Sequence, residues 1–262
     1  VACPKKTLPL SEKLVWFTKI IMLITYFMKT LFKYATVVLL LAGTSACSQP
    51  SKRASIIDEN IAVAEKQIGM LADSSETGSV IRIPSTWKNG RIDYVPVDDW
   101  VSGFFAGTLW YMYELTGDET WAARARKHTE ILDSVQYLQW HHDVGFMVYD
   151  SYGNGLRLKN IPGYEDVIVQ TAKSLATRFR PVPGVIQSWD ADRGWQCPVI
   201  IDNMMNLELM FKATEFSGDS TYYNIAVKHA DRTMKEHFRD DYSCYHVVDY
   251  DLTTGDVRGR CT

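Results

Sequence analysis

The 262-residue sequence lacks the features that mark several common protein classes. Its five cysteines form no CxxC pair and show no cysteine–histidine spacing typical of a metal site, so a zinc-binding module is not expected. The net charge of −3 creates no general attraction to nucleic acid or to anionic surfaces. Alternating apolar and polar residues are nearly absent, which argues against a sheet protein. What is present is an ordinary globular composition, 46% hydrophobic, with room for a large core.

Residues 1–47 have the pattern of a leader. The chain begins with Val1, and residues 1–27 are interpreted as translated upstream sequence or a long leader that is removed. A basic stretch at 28–33 precedes a short apolar stretch at 34–42, and small residues then lead to Cys47. This order is typical of a secretory signal, and it looks like a bacterial lipoprotein signal in which Cys47 is the lipidated first mature residue.

The leader leaves two alternatives open. Simple secretion without a lipid would use the same signal, and the apolar run from Leu14 to Met28 could be a membrane anchor, although it is short and interrupted by Lys19. The lipoprotein interpretation predicts a protein of the periplasm or cell envelope that contacts the membrane only through its N-terminal lipid. Residues 48–55 are then a polar tether, and 56–262 are the folded domain.

Apolar spacing predicts six helices in the folded domain. They are expected over Ile56–Ala72, Trp100–Leu115, Glu119–Val135, Glu165–Arg178, Asp202–Glu215 and Ser220–Phe238. The stretches between them, including 73–99, 137–160 and 185–198, are predicted to be loops because they are rich in glycine, proline and aromatic residues. The predicted class is therefore all-α, with long loops on one side.

An internal repeat supports a helical array. An apolar helix ends at Gly117-Asp118, and the same pattern recurs at Gly218-Asp219, each followed by an amphipathic helix that contains a Lys-His pair. Glycine favours a left-handed helix end, and aspartate caps the helix that follows. Repeated helical hairpins predict an open array or a closed toroid. His128 and His229 lie late in their helices and are interpreted as packing residues.

Asp202 is the first candidate for chemistry. It is a lone carboxylate in Pro198-Val199-Ile200-Ile201-Asp202-Asn203-Met204-Met205-Asn206, at the predicted start of a buried helix. Burial raises the pKa of a carboxylate and a helix N-terminus lowers it, so such a group suits general acid/base work. The alternative is an ordinary helix N-cap.

Asp143 is the second candidate. It stands in His141-His142-Asp143-Val144-Gly145, where the glycine would let backbone come close to a ligand. An ordinary turn is one alternative, and metal binding by His141, His142 and Asp143 is another, although adjacent residues rarely converge on one ion. Two carboxylates on the same side of a helical toroid could form an acid/base pair.

Three further residues are predicted to lie on the rim that carries these carboxylates. Trp100 and Trp189 stand at similar loop–helix junctions, where each could stack on a sugar or belong to the core. His246 follows His142 at close to the spacing of the repeat, and the turn at 251–255 comes directly after it.

Four segments in this order and spacing resemble one family. They are Asp99-Trp100-Val101-Ser102-Gly103-Phe104-Phe105, His142-Asp143-Val144-Gly145-Phe146, Ile201-Asp202-Asn203-Met204-Met205-Asn206 and His246-Val247-Val248-Asp249-Tyr250. They look like the unsaturated glucuronyl hydrolases, glycoside hydrolase family 88, over residues 56–255. The resemblance implies an (α/α)6 barrel with no cofactor or metal. It makes Asp202 the proton donor and base, Asp143 the second catalytic aspartate, and Trp100, His142, Trp189 and His246 the substrate-binding residues.

The resemblance also implies an incomplete protein. Chains of this family continue through further hairpins that carry more substrate contacts, so this sequence is interpreted as the N-terminal portion, with about half the toroid. The implied reaction removes an unsaturated uronic acid from glycosaminoglycan fragments. Alternatives are an unsaturated rhamnogalacturonyl hydrolase acting on pectin fragments, an inverting glycosidase and a non-catalytic glycan-binding lipoprotein.

Overall fold

The computed structural model describes residues 52–192 and 194–262, with side chains from residue 56 onward. The predicted leader, Cys47 and the start of the tether therefore lie outside the described residues. Contacts divide the chain into the units 1–56 and 57–262, and the site described below belongs to the second. Within the described ranges, no helix is both long enough and apolar enough to cross a membrane.

The described residues are mainly helical. The α-helices are α1 (Lys52–Ser75), α2 (Ser102–Thr116), α3 (Glu119–Glu130), α4 (Val144–Val148), α5 (Asn154–Lys159), α6 (Tyr164–Ala176), α7 (Leu207–Ser217) and α8 (Ser220–Glu236). A π-helical turn, Tyr149–Gly153, joins α4 to α5, and 3-10 helices cover Asp133–Tyr137 and Ile201–Asn206. Helix α1 begins at Lys52, inside the stretch predicted to be a tether.

The helical repeat is confirmed at both hairpin corners. Gly117 ends α2 with φ 70° and Gly218 ends α7 with φ 73°, a left-handed conformation that favours glycine. Asp118 and Asp219 then cap α3 and α8, since each carboxylate accepts a hydrogen bond from the backbone N–H two residues later. The two Gly-Asp pairs from which the hairpins were predicted therefore form the hairpin corners.

The hairpins build two layers. The inner layer consists of α2, the helical segment 144–159 and α7, each in contact with the next. The second layer consists of α3, α6 and α8, which pack against the inner layer. The main core lies between these layers, and its largest fully buried side chains include Leu109, Trp110, Met147, Ile168 and Leu209. Each inner segment begins at the end of the molecule that carries the candidate site.

The prediction of a loop over 137–160 was wrong, because residues 144–159 form a helical segment. Glycines in this segment and in α2, which packs against it, allow close packing and do not form a loop. A Cβ on Gly103 of α2 would overlap the backbone of Met147, and a Cβ on Gly155 would overlap the Tyr164 ring. Val144, Met147 and Val148 are fully buried, so the segment belongs to the core.

The expectation of almost no strands also needs correction. In the part of the chain that the structure describes, three small antiparallel sheets connect the helices: β1 (Ile83–Lys88) with β2 (Arg91–Val95), β3 (Phe179–Arg180) with β4 (Val185–Ile186), and β5 (Pro198–Ile200), β6 (Val247–Tyr250) and β7 (Val257–Cys261) in that order. The strands have two to six residues, too few to establish an alternating pattern in the sequence. The three-stranded sheet covers its own small core, and all three described cysteines are free.

Candidate active site

The two candidate carboxylates lie together. Asp143 immediately precedes α4, and Asp202 lies in the 3-10 helix that leads into α7. One side-chain ligand atom from each of His142, Asp143 and Asp202 lies within 4.8 Å of the other two. The fold therefore brings together residues that are about sixty positions apart in the chain.

Asp143 lies between two histidine side chains, and its own backbone N–H donates to Nδ1 of His141 at 3.1 Å. Its Oδ2 lies 2.9 Å from Nδ1 of His141, and its Oδ1 lies 3.1 Å from Nε2 of His142. Burial alone would raise the pKa of Asp143, but the hydrogen bonds from both histidines outweigh burial and hold this pKa well below its usual range. The surroundings of Asp143 therefore favour its ionised form.

Asp202 has the opposite environment. Its Oδ1 is buried and has no hydrogen-bond partner among the described residues. Burial raises the pKa of this carboxyl; His142 and His246 oppose the shift, and the negative charge of Asp143 adds to it. The interpretation of Asp202 as a helix N-cap is wrong, because Ile200 precedes the 3-10 helix and Asn206 precedes α7 at the cap positions. Asp202 can therefore hold a proton beside a permanent negative charge.

Aromatic contacts connect Trp100 to the carboxylates. Trp100 is 55% exposed and meets Phe104 edge to face, with ring centroids 6.0 Å apart. Phe104 stacks on Phe146 at 5.6 Å, and Phe146 in turn meets the ring of His142 at 6.3 Å. Trp100 thus presents an open aromatic surface on the same rim as Asp143, as a sugar platform requires.

Trp189 and His246 lie near the pair in different ways. The carbonyl of Ser188, the residue before Trp189, accepts the backbone N–H of His142 at 3.0 Å. Trp189 itself is half-buried, and its ring lies 6.0 Å from that of Trp195. His246 is exposed, and its backbone carbonyl accepts the N–H of Ile201 at 2.9 Å, which keeps it beside Asp202.

Two asparagines that were not predicted from the sequence as site residues lie behind the site. Asn203 and Asn206 are fully buried, three residues apart, and the side chain of Asn206 donates to Oδ1 of Asn203 at 2.8 Å. Asn206 also lies 3.4 Å from Nδ1 of His142. Buried amides need hydrogen-bond partners. Two asparagines within an apolar run of the sequence were therefore the signal that could have identified these residues.

The donor set also suggests how a metal ion would fit. His142, Asp143 and Asp202 offer ligand atoms of suitable type and spacing, whereas His141, which the metal alternative included, points to Asp143 as a hydrogen-bond partner. Both oxygens of Asp143 are already held by histidines, and burial favours the neutral form of Asp202. The arrangement therefore fits a proton on Asp202 better than a cation.

The layered helical hairpins and the buried carboxylate pair beside an open tryptophan define a helical-hairpin protein with a site suited to acid/base chemistry. The comparisons agree with this class. An unsaturated glucuronyl hydrolase of Formosa agariphila is 48% identical over 172 residues, which are 64% of this chain and 42% of that protein. An unsaturated chondroitin disaccharide hydrolase of Streptococcus agalactiae is 30% identical over 207 residues, 76% of this chain and 50% of that protein. No protein-family profile matches the chain.

Solved structures give the same result. A crystal structure of an unsaturated glucuronyl hydrolase specific for heparin matches with a TM-score of 0.72 and 42% identity, over 77% of this chain and 53% of that one. The predicted resemblance to the unsaturated glucuronyl hydrolase family and the predicted (α/α)6 architecture are both confirmed. It spans about half the length of the curated relatives it matches.

Proposed function

We propose that the protein is a glycoside hydrolase that removes a 4,5-unsaturated glucuronic acid from the non-reducing end of lyase-generated glycosaminoglycan fragments. The observation that carries the proposal is the carboxylate pair. Asp143 and Asp202 lie side by side, yet hydrogen bonds lower the pKa of one and burial raises the pKa of the other. Because the two pKa values are shifted apart, one carboxyl can act as an acid while the other remains an anion in the same site.

The unsaturated sugar contains a C4=C5 double bond that is part of a vinyl ether. Asp202, starting neutral, gives its proton to C4, and positive oxocarbenium character develops at C5. The resulting Asp202 carboxylate then takes a proton from water as the water oxygen bonds to C5. The hemiketal formed at C5 opens and releases the rest of the oligosaccharide, so one water molecule is consumed in the reaction.

The remaining residues bind the substrate and stabilise charge. Asp143, ionised and close to Asp202, stabilises the positive character of the ring and keeps the neutral form of Asp202 favoured. Trp100 and Trp189 pack against sugar faces, and His142 and His246 hydrogen-bond to hydroxyl groups. No step needs a cofactor or a metal ion.

The spacing of the carboxylates bears on the alternative of an inverting glycosidase. In inverting enzymes the two carboxyl groups stand roughly 6.5–9.5 Å apart to admit water between them. Here the oxygens of Asp143 and Asp202 approach within 4.8 Å. That spacing is close to the roughly 5 Å of retaining enzymes, but both oxygens of Asp143 are held by histidines, which makes it a poor nucleophile.

Relatives support glycosaminoglycan fragments over pectin fragments. One structural neighbour is specific for heparin, and another, an aspartate-to-asparagine mutant from Streptococcus agalactiae, is complexed with dGlcA-GalNAc6S. The decisive assay offers unsaturated disaccharides from chondroitin, heparin and pectin side by side to the full-length gene product and follows the ultraviolet absorbance of the double bond. Loss of absorbance with a pectin disaccharide alone would support the rhamnogalacturonyl alternative. Binding without any loss would support a glycan-binding protein.

We further propose that the protein acts at the cell envelope, held by a lipid on Cys47. The support is the basic, apolar and small-residue order that precedes this cysteine. Cys47→Ala should move the protein from the membrane fraction to the soluble periplasmic fraction. An unchanged distribution would contradict lipidation.

A further inference from the structure

We propose that Asn206 is a positioning residue that fixes the tautomer of His142, so that the Nε2–H of His142 donates to Asp143. The inference rests on the function proposed above for Asp143 and adds a residue to it. It follows from hydrogen bonds whose direction the backbone decides.

The orientation of the Asn206 amide is determined by Phe146. The backbone N–H of Phe146 lies 2.9 Å from the side-chain oxygen of Asn206, and a backbone N–H can only donate. The group that faces Phe146 must therefore be the amide oxygen, Oδ1. The amide nitrogen, Nδ2, is then the group that faces His142 and Asn203.

Asn203 gives an independent check on this orientation. Its own Nδ2 lies 2.7 Å from the carbonyl oxygen of Ile186, which can only accept. Its Oδ1 is therefore free to accept, and it lies 2.8 Å from Nδ2 of Asn206. Two backbone groups, from Phe146 and Ile186, thus fix both amides without reference to the histidine.

The tautomer of His142 follows from these directions. Nδ2 of Asn206 has only protons to offer, and it lies 3.4 Å from Nδ1 of His142, so Nδ1 must be the bare, accepting nitrogen. The ring proton is then on Nε2, which lies 3.1 Å from Oδ1 of Asp143.

The local packing leaves the space that this contact needs. A Cβ on Gly145 would overlap the Asn206 amide, so the glycine allows the amide to reach the helix start at 144–146. Asn206 and His142 are both buried to within about 1% of complete exclusion from solvent, which removes water as a competing partner. Asp143 therefore receives its second hydrogen bond through a ring that Asn206 orients.

The direct test is nitrogen NMR of the full-length gene product with 15N-labelled histidine, with His142 assigned from the signals lost in His142→Gln. We expect Nε2 of His142 to carry the proton and Nδ1 to be bare. In Asn206→Asp the new carboxylate accepts at Nδ1, and the proton signature should appear there. A wild-type His142 protonated on Nδ1, or a tautomer unchanged in a folded Asn206→Asp, would overturn the proposal.

Kinetics give a second readout. Asn206→Asp should lower kcat about ten- to a hundredfold with little change in KM, because orientation of Asp143 matters most in the transition state. Gly145→Ala, which pushes the same amide away, should act in the same direction if Asn206→Asp does not fold. Asn154→Asp is the matched control, a buried asparagine bonded to Asp150 and Arg157, and it should leave the His142 signals unchanged.

A protein inactive on every unsaturated disaccharide would contradict the proposed function, while the wild-type NMR measurement would still decide the tautomer. Full kcat in a folded Asn206→Asp with a switched tautomer would overturn the positioning role.

Discussion

Asp143 and Asp202 occupy similar places in two neighbouring segments and have opposite surroundings. Each precedes an inner helix, at the same end of the molecule. Asp143 meets two histidines within 3.1 Å, whereas Asp202 has a buried oxygen without a partner among the described residues. The supply of hydrogen-bond donors, more than burial, therefore separates an ionised aspartate from one that can keep its proton.

The removal of the acid is expected to have the largest effect. Asp202→Asn preserves size but leaves no proton to give to C4, so kcat should fall by about three orders of magnitude or more, while substrate binding is largely kept. Stopped assays of double-bond loss, together with calorimetric binding, measure the two quantities. Turnover at the wild-type rate would eliminate Asp202 as the acid.

Asp143→Asn should have a smaller effect on kcat and a distinct effect on the pH profile. Loss of the anion removes stabilisation of the oxocarbenium ion, which we expect to cost on the order of a hundredfold in kcat. It also removes a negative charge that raises the pKa of Asp202. The decline of kcat/KM at high pH, where Asp202 loses its proton, should therefore shift to lower pH. An unshifted decline would mean that the two carboxylates do not interact.

His141→Leu should bring the pKa values of Asp143 and Asp202 closer together. It removes one of the hydrogen bonds that lower the pKa of Asp143, so this pKa rises toward its usual range. Activity should then acquire a loss at acidic pH, and in the wild-type protein, where the pKa of Asp143 is lower, this loss is expected only at lower pH. His128→Leu is the control, since His128 is equally buried but faces Glu76. An acidic loss in both variants would indicate general destabilisation.

Chelation should have the smallest effect. Because both oxygens of Asp143 are engaged and burial favours the neutral form of Asp202, prolonged treatment with EDTA is expected to leave kcat/KM unchanged. Loss of activity restored by a divalent cation would show that His142, Asp143 and Asp202 hold a metal ion and would replace the acid/base interpretation.

The sequence predicted the parts of the fold that depend on local chemistry. Gly117 ends a helix because it adopts the left-handed conformation, and Asp118 starts the next helix because its side chain caps it. The hairpin could therefore be predicted from these two residues alone. Segment 144–159 was missed because Gly145 and Gly155 suggest a loop when they are considered locally. Glycine is required at these two positions because Asn206 and Tyr164, which belong to other segments, come too close to leave room for a Cβ.

The same distinction applies to the site. Asp202 was selected as a carboxylate at a predicted helix start, and Asp143 as a carboxylate in a predicted loop beside His142 and Gly145, and both are local properties. The histidines that ionise Asp143 are also local, because His141 and His142 adjoin it in the chain. The role of Asn206 could not be predicted, since its decisive partners, His142 and Phe146, are about sixty residues earlier. Only the packed structure shows which way its amide points.

The backbone hydrogen bond between Ile201 and His246 has a consequence for motion. It continues the ladder of β5 and β6, so the segment that bears Asp202 and the one that bears His246 can separate only if the edge of this ladder opens. Trp100, by contrast, stands just before a helix start, where its ring meets that of Phe104 edge to face. Amide hydrogen exchange should therefore be slow at Ile201 and faster at Trp100, so we expect the tryptophan side of the rim to be the more adjustable one.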